Sequence, residues 1–328
     1  MSRVLRIGLL LAALVLPDGA VAQEYAQHYP SRPVTLVMPY SPGGGTDVVG
    51  RQITQGLERR LGQPFILDYR PGAGSAIAAT YTARAPADGH TLLYATSTTM
   101  AINVSVHKHL NYDPTKELTP IAMMAITPFI LIVNAALPIH SIKELVAVAR
   151  GKPGGLTYAS NGAGGASHLF AEMMKGMLGI ELTHIPYKGN APALNDVVAG
   201  HVSLMFVDQS ASVQLVREGK LRALGITSAK RSPTAPEVPP LGEVGLPGYD
   251  AVSWHMIVAP GATPKAIVGK LHTQLRDVAK DETFRAEILK RGFVAQDSAS
   301  PDELSAYVKS EIVRWGNVVK QAGAVGIE

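Results

Sequence analysis

Strand-like and helix-like runs take turns along nearly the whole chain, and no other feature restricts the fold so strongly. "PVTLVMPY" (33–40) precedes a helical pattern over 47–61, "PFILDYR" (64–70) precedes a glycine turn and a helix over 75–85, and "HTLLYAT" (90–96) precedes "STTMAIN", which opens another helix. A second series begins with "PIAMMAITPFILIVN" (120–134), too long for one ordinary strand and divided by Pro128. It continues as helix 141–150, strand 155–160, helix 167–179, strand 181–187, helix 190–200, strand 201–208, helix 212–220 and strand 221–227. A proline-rich connection (232–250) leads into "AVSWHMIVAPGATP" (251–264), and helices over 265–280, 281–291 and 301–321 complete the chain. Such alternation predicts α/β sheets with crossover helices.

A chain of 328 residues exceeds what one hydrophobic core usually organises, so two lobes are expected. The last three helices have no strands of their own to cover and are predicted to pack on the first series. The chain then crosses between lobes near 125–133 and 250–258, giving one lobe of 28–127 plus 255–328 and another of 128–254. A cleft between the lobes is the expected place for a ligand.

Residues 1–22 have the pattern of a secretory signal peptide: Arg3 and Arg6, an apolar core over 7–16, and the small-x-small ending Ala20, Val21, Ala22. That core is too short to span a bilayer, so a cleaved, periplasmic protein is expected. The sequence contains no cysteine, which excludes disulfides, thiol nucleophiles and thiolate metal sites. A formal net charge of +4 without a basic run excludes a nucleic-acid surface and leaves a mild preference for small anions.

Two glycine loops stand between a strand and a helix: "SPGGGTD" (41–47) and "SNGAGGASH" (160–168). At a helix start the first N–H groups lack intrahelical partners and lie at the positive end of the dipole, so an anion fits there, and glycines clear its approach. Either Thr46 or Asp47 can instead cap the first helix, Ser167 can cap the second, and Ser160 and Asn161 can serve as turn residues. Neither loop has the lysine of a phosphate loop, and "GAGGAS" ends in serine where a dinucleotide loop needs glycine. No nucleotide or other cofactor is expected.

Catalysis finds no support either. The elbow G-x-S-x-G is absent, "GASHL" having leucine in the last place. Ser167 and His168 are adjacent, and adjacency does not make a triad. His107 and His109 lie on an irregular stretch and H-E-x-x-H does not occur, so no metal is expected.

Taken in order, "YPSRPVTLVMPYSPGGGTDVVGR", "RPGAGSAIAA", "ADGHTLLYATSTTMAIN", "YASNGAGGASHL", "IPYKG", "DVVAGHVSLMF" and "LRALGITSAKRSP" resemble the Bug or TctC-type family, the extracytoplasmic solute receptors of tripartite tricarboxylate transport systems. The resemblance covers essentially the whole chain after residue 22. It implies a type II periplasmic-binding-protein fold: two α/β lobes, two crossing strands and closure over a ligand. It further implies that a carboxylate is gripped by the first loop, here Tyr40, Ser41, Gly43, Gly44, Gly45, Thr46 and Asp47, and by the second, here Ser160, Asn161, Gly162, Ala163, Gly164, Ser167 and His168. Ser97, Thr98 and Asp208 fall where further polar contacts are made in the family. Gly45 is a third glycine where the usual pattern has two, which shrinks the side-chain contribution of its loop.

Neither loop contains arginine, leaving N–H groups, hydroxyls and water as the expected donors. If Asp47 and Asp208 both face the cleft, an acidic amino acid joins di- and tricarboxylates and aromatic acids among the ligands. The implied partners are integral-membrane transporter subunits, with a membrane signalling partner as the alternative, and the receptor itself is expected to act as a monomer.

Overall fold

A computed structural model describes residues 27–187 and 189–327. The expected signal peptide lies outside the described residues. Six strands, one of them shared with the second lobe, and their helices build the first lobe. Buried Val34, Leu36, Val37 and Met38 make β1 (Val34–Met38) an interior strand, paired in parallel with β2 (Phe65–Tyr69) and β3 (Thr91–Thr96). Between β1 and β2 runs α1 (Gly45–Leu61), which buries Val49, Ile53 and Leu57 at four-residue spacing and stops at Gly62 in a left-handed conformation, φ 71°. Helix α2 (Ala76–Ala83) connects β2 to β3, and a π-helical turn (Thr98–Ile102) runs from β3 into α3 (Asn103–Val106).

One strand ties the lobes together. β4 (Leu118–Asn134) is continuous for 17 residues, and Pro128 does not divide it. The ladder changes partner at that residue: Leu118 to Pro128 pair with β9 (Val252–Pro260), whereas Phe129 to Val133 pair with β7 (Leu204–Asp208). A proline, lacking an N–H, is tolerated where one ladder ends and another begins. The second crossing lies beside the first, because the Phe129 N–H donates to Thr227 Oγ1 at 2.9 Å and the Ala251 N–H to the Thr227 carbonyl at 3.0 Å.

The second lobe alternates α4 (Ile142–Gly151), β5 (Thr157–Ser160), α5 (Ala166–Leu178), β6 (Thr183–Pro186), α6 (Asn190–Ala199), β7, α7 (Gln209–Arg217) and β8 (Leu221–Ile226). The complete strand path is β2-β1-β3-β9-β4-β7-β5-β6, with β8 paired to β4 and a short β10 (Val294–Ala295) also on β4. β10 has only two residues, too few to show alternation in sequence.

Helices α8 (Lys265–Lys280) and α9 (Glu282–Leu289) cover the first lobe through Ile267, Leu271, Leu275 and Ile288. The last helix, α10 (Pro301–Gln321), starts with a capping box of Ser300 and Glu303 and touches both lobes. Its Trp315 ring lies 5.6 Å from Phe170 of α5, and the indole N–H groups of Trp315 and of Trp254 on β9 both donate to the buried Glu311 carboxylate, at 2.9 and 3.1 Å.

Candidate functional site

The first glycine loop is held from behind. Asp47, the third residue of α1, accepts from the Gly43 N–H at 2.9 Å, from the Tyr69 hydroxyl and from Arg51 Nε at 3.2 Å. Burial alone would raise its pKa, but these three donors prevail and hold the carboxyl below its ordinary range. Neither Asp47 nor Thr46 caps the helix: Gly44 is the N-cap, and no side chain bonds there. The N–H groups of Gly45 and Thr46 therefore have no intrahelical partner. The third glycine has a packing reason, since a Cβ on Gly45 would stand 2.7 Å from Cε2 of Phe293.

The second loop uses the same plan with other residues. Ser167 is not its cap; its Oγ accepts from the Asn161 N–H at 2.9 Å and donates to Asn161 Oδ1 at 2.7 Å, and Gly165 is the N-cap of α5. Ser160 Oγ binds the Gly162 carbonyl and sits 2.6 Å from Nε2 of His184. The Gly164 N–H donates to Nδ1 of His168 at 3.0 Å, so that nitrogen is unprotonated. His168 and His184 stack at 4.1 Å, and burial lowers the pKa of both, that of His184 to about 4.

Both helix starts open on one cavity of about 570 Å³ at the seam between the lobes. Of the residues singled out in sequence, Tyr40, Gly45, Thr46, Thr98 and Asp208 line it, together with Asn161, Gly162, Ala163 and Gly164. Ser41, Gly43, Gly44 and Asp47 do not line it, nor do Ser97, Ser160, Ser167 and His168. Most of this second set brace the loops from behind; Ser97 instead meets Ser253, which lines the wall, at 3.5 Å between hydroxyl oxygens.

Asp208 is at the cavity but already occupied. It caps α7 by accepting from the Ala211 N–H at 3.1 Å and the Ser210 hydroxyl at 2.5 Å, and its other oxygen accepts from Asn190 Nδ2 at 2.9 Å. His255 on β9 lies against Thr127 Oγ1 at 2.9 Å, and burial pushes its pKa down to about 3, so it is neutral. Sequence reasoning missed Gly74, Asn103, Val106, Thr127, Phe129 and Gly165, and also Ala166, Asn190, Ser210, Ser253, His255, Arg291 and Phe293. Gly165 and Ala166 lie inside the second glycine loop and Asn190 follows Gly189, so these three were within reach of the pattern; the others arrive through tertiary contacts. Among the described residues no three His, Cys, Asp or Glu gather where they could hold a metal ion.

Two lobes sharing one sheet path, with a polar cavity walled by a helix start from each, define a two-lobe periplasmic-binding-protein fold. Residues 49–324 match TctC, the tripartite tricarboxylate transporter family receptor, and the chain belongs to that family, a family of receptors and not of enzymes. It is similar to Protein BugT of Bordetella pertussis, with 34% identity over 99% of this chain and 98% of that one. Among solved structures, a Rhodopseudomonas palustris protein with adipate has a TM-score of 0.77 at 38% identity, covering 90% of this chain and 98% of that one. MatC from Rhodopseudomonas palustris with bound malate has a TM-score of 0.73 at 33% identity, covering 89% and 100%.

Proposed function

We propose that the protein is a periplasmic solute receptor that closes over a small organic carboxylate and delivers it, as a monomer, to a tripartite tricarboxylate-type membrane transporter. The lobes that close are 28–127 plus 255–328 and 128–254, and residues 1–22 are removed on export. One observation carries this reading: the unpartnered N–H groups at two helix starts, one from each lobe, line the same cavity. Anions are favoured at such positions by both hydrogen bonding and the helix dipole. The adipate and malate bound to the two related structures support the same chemistry.

A thermal-shift screen of organic acids tests it, because a ligand at 100 times its dissociation constant stabilises by about 2.7 kcal/mol. The amides do not titrate, so affinity is expected to follow ionisation of the ligand and to fall as pH drops below the ligand's own pKa. A protein stabilised by no acid at any pH would not be this receptor.

A further inference from the structure

We infer that Arg291 recognises a second negative charge on the ligand, so that the site selects acids with two anionic groups over otherwise identical acids with one. The inference rests on the carboxylate reading above and deepens it. Arg291 is the only Arg or Lys among the described residues that line the cavity. Its guanidinium makes no hydrogen bond or ion pair with any described residue, so its forked donors are uncommitted. The one acid in the wall, Asp208, is already satisfied by Asn190, Ser210 and Ala211 and does not consume the cation.

The backbone around Arg291 is fixed, and its side chain is exposed. The Arg291 and Phe293 N–H groups both donate to the Ile288 carbonyl, at 3.0 and 3.1 Å, closing a tight turn after α9. From the opposite lobe, the fully buried Gln209 donates through Nε2 to the Gly292 carbonyl at 2.7 Å. Two residues beyond Arg291, Phe293 lies against Gly45 at the start of α1. The cation is thus tethered beside the first amide site, and apolar Phe129 and Phe293 share the wall with both. A short carbon chain carrying a carboxylate at each end matches this order of amide, apolar and guanidinium groups, and a guanidinium takes a carboxylate through two parallel bonds. A single carboxylate would be served by the amides alone and leave Arg291 idle.

The test is calorimetry on the full mature chain and its Arg291→Gln and Arg291→Lys variants, with succinate, glutarate and adipate each paired against butanoate, pentanoate and hexanoate. The wild type is expected to prefer at least one diacid over its partner by about tenfold, the ratio expected for one charge-assisted contact in a partly open site. Arg291→Gln is expected to remove that preference by weakening the diacid alone, with Arg291→Lys intermediate. An exposed, unbonded side chain leaves folding unaffected, which the unfolding midpoint of each variant without ligand checks. A wild type that binds mono- and diacids alike, or a variant that keeps the preference, overturns the role of Arg291 and leaves the carboxylate reading standing. A wild type that binds no acid of either series, nor any in the thermal screen, overturns both.

Discussion

Asp47 faces away from the cavity, yet it shapes the cavity's first wall. By taking the Gly43 N–H, the Tyr69 hydroxyl and Arg51, it fixes the curl of the loop and leaves the amides of Gly45 and Thr46 open. It is therefore no counter-charge for a ligand ammonium. Asp47→Asn keeps one acceptor but loses the charge that strengthens the three bonds, and is expected to lower stability by about 1–2 kcal/mol at neutral pH, as measured by the urea midpoint. The folded pKa lies below the unfolded one. Its contribution is thus complete above the unfolded value and is lost as pH falls through the lowered folded value, so wild type and variant should converge in strong acid. Equal midpoints at neutral pH would show that the loop keeps its shape without the charge.

At the scale of elements, β5, its glycine loop and α5 form a unit stiffened by the stack of His168 on His184. His184 has its ordinary pKa of 6.5 lowered to about 4 in the fold. The unfolded chain takes up this proton first as pH falls, so stability is whole above 6.5, declines between 6.5 and 4, and does so because the folded unit stays neutral. His184→Phe keeps a flat ring in the stack without a titrating nitrogen, and is expected to flatten the fall of the melting temperature across that window. A slope as steep as that of the wild type would assign the acid sensitivity elsewhere, His255 being the next group in line. The strand, loop and helix of this unit were legible in sequence because glycine and the change of period from two to 3.6 are local signals. Its bracing was not: Ser160 and His184 are 24 residues apart, and only the sheet brings them to 2.6 Å. Pro128 misled for a related reason, since a missing N–H ends an isolated strand but costs nothing where the partner changes. Arg291 and Phe293 reach the wall through packing of the last helices on the first lobe, for which no neighbouring residue gives a cue.

For the molecule as a whole, the two lobes are in direct contact at Gly292. With φ at 78° and a Cβ that would lie 2.9 Å from Cβ of Ser210, no other residue fits there without prising the lobes apart. Gly292→Ala is expected to weaken every bound acid by a similar factor, about tenfold, since apparent affinity scales with the fraction of protein in the competent form. Small-angle scattering with saturating ligand would detect the wider particle, and unchanged affinity would show that this contact does not limit closure.

The bond from Trp254 to Glu311 would set a boundary on any hinge motion of the lobes. A swing that lifted α10 off β9 would strip the Trp254 indole donor from a buried carboxylate, whereas the Trp315 bond to Glu311 lies within the helix and would survive. A hinge between the lobes is therefore expected to leave this helix seated on β9, as an axle fixed to one jaw.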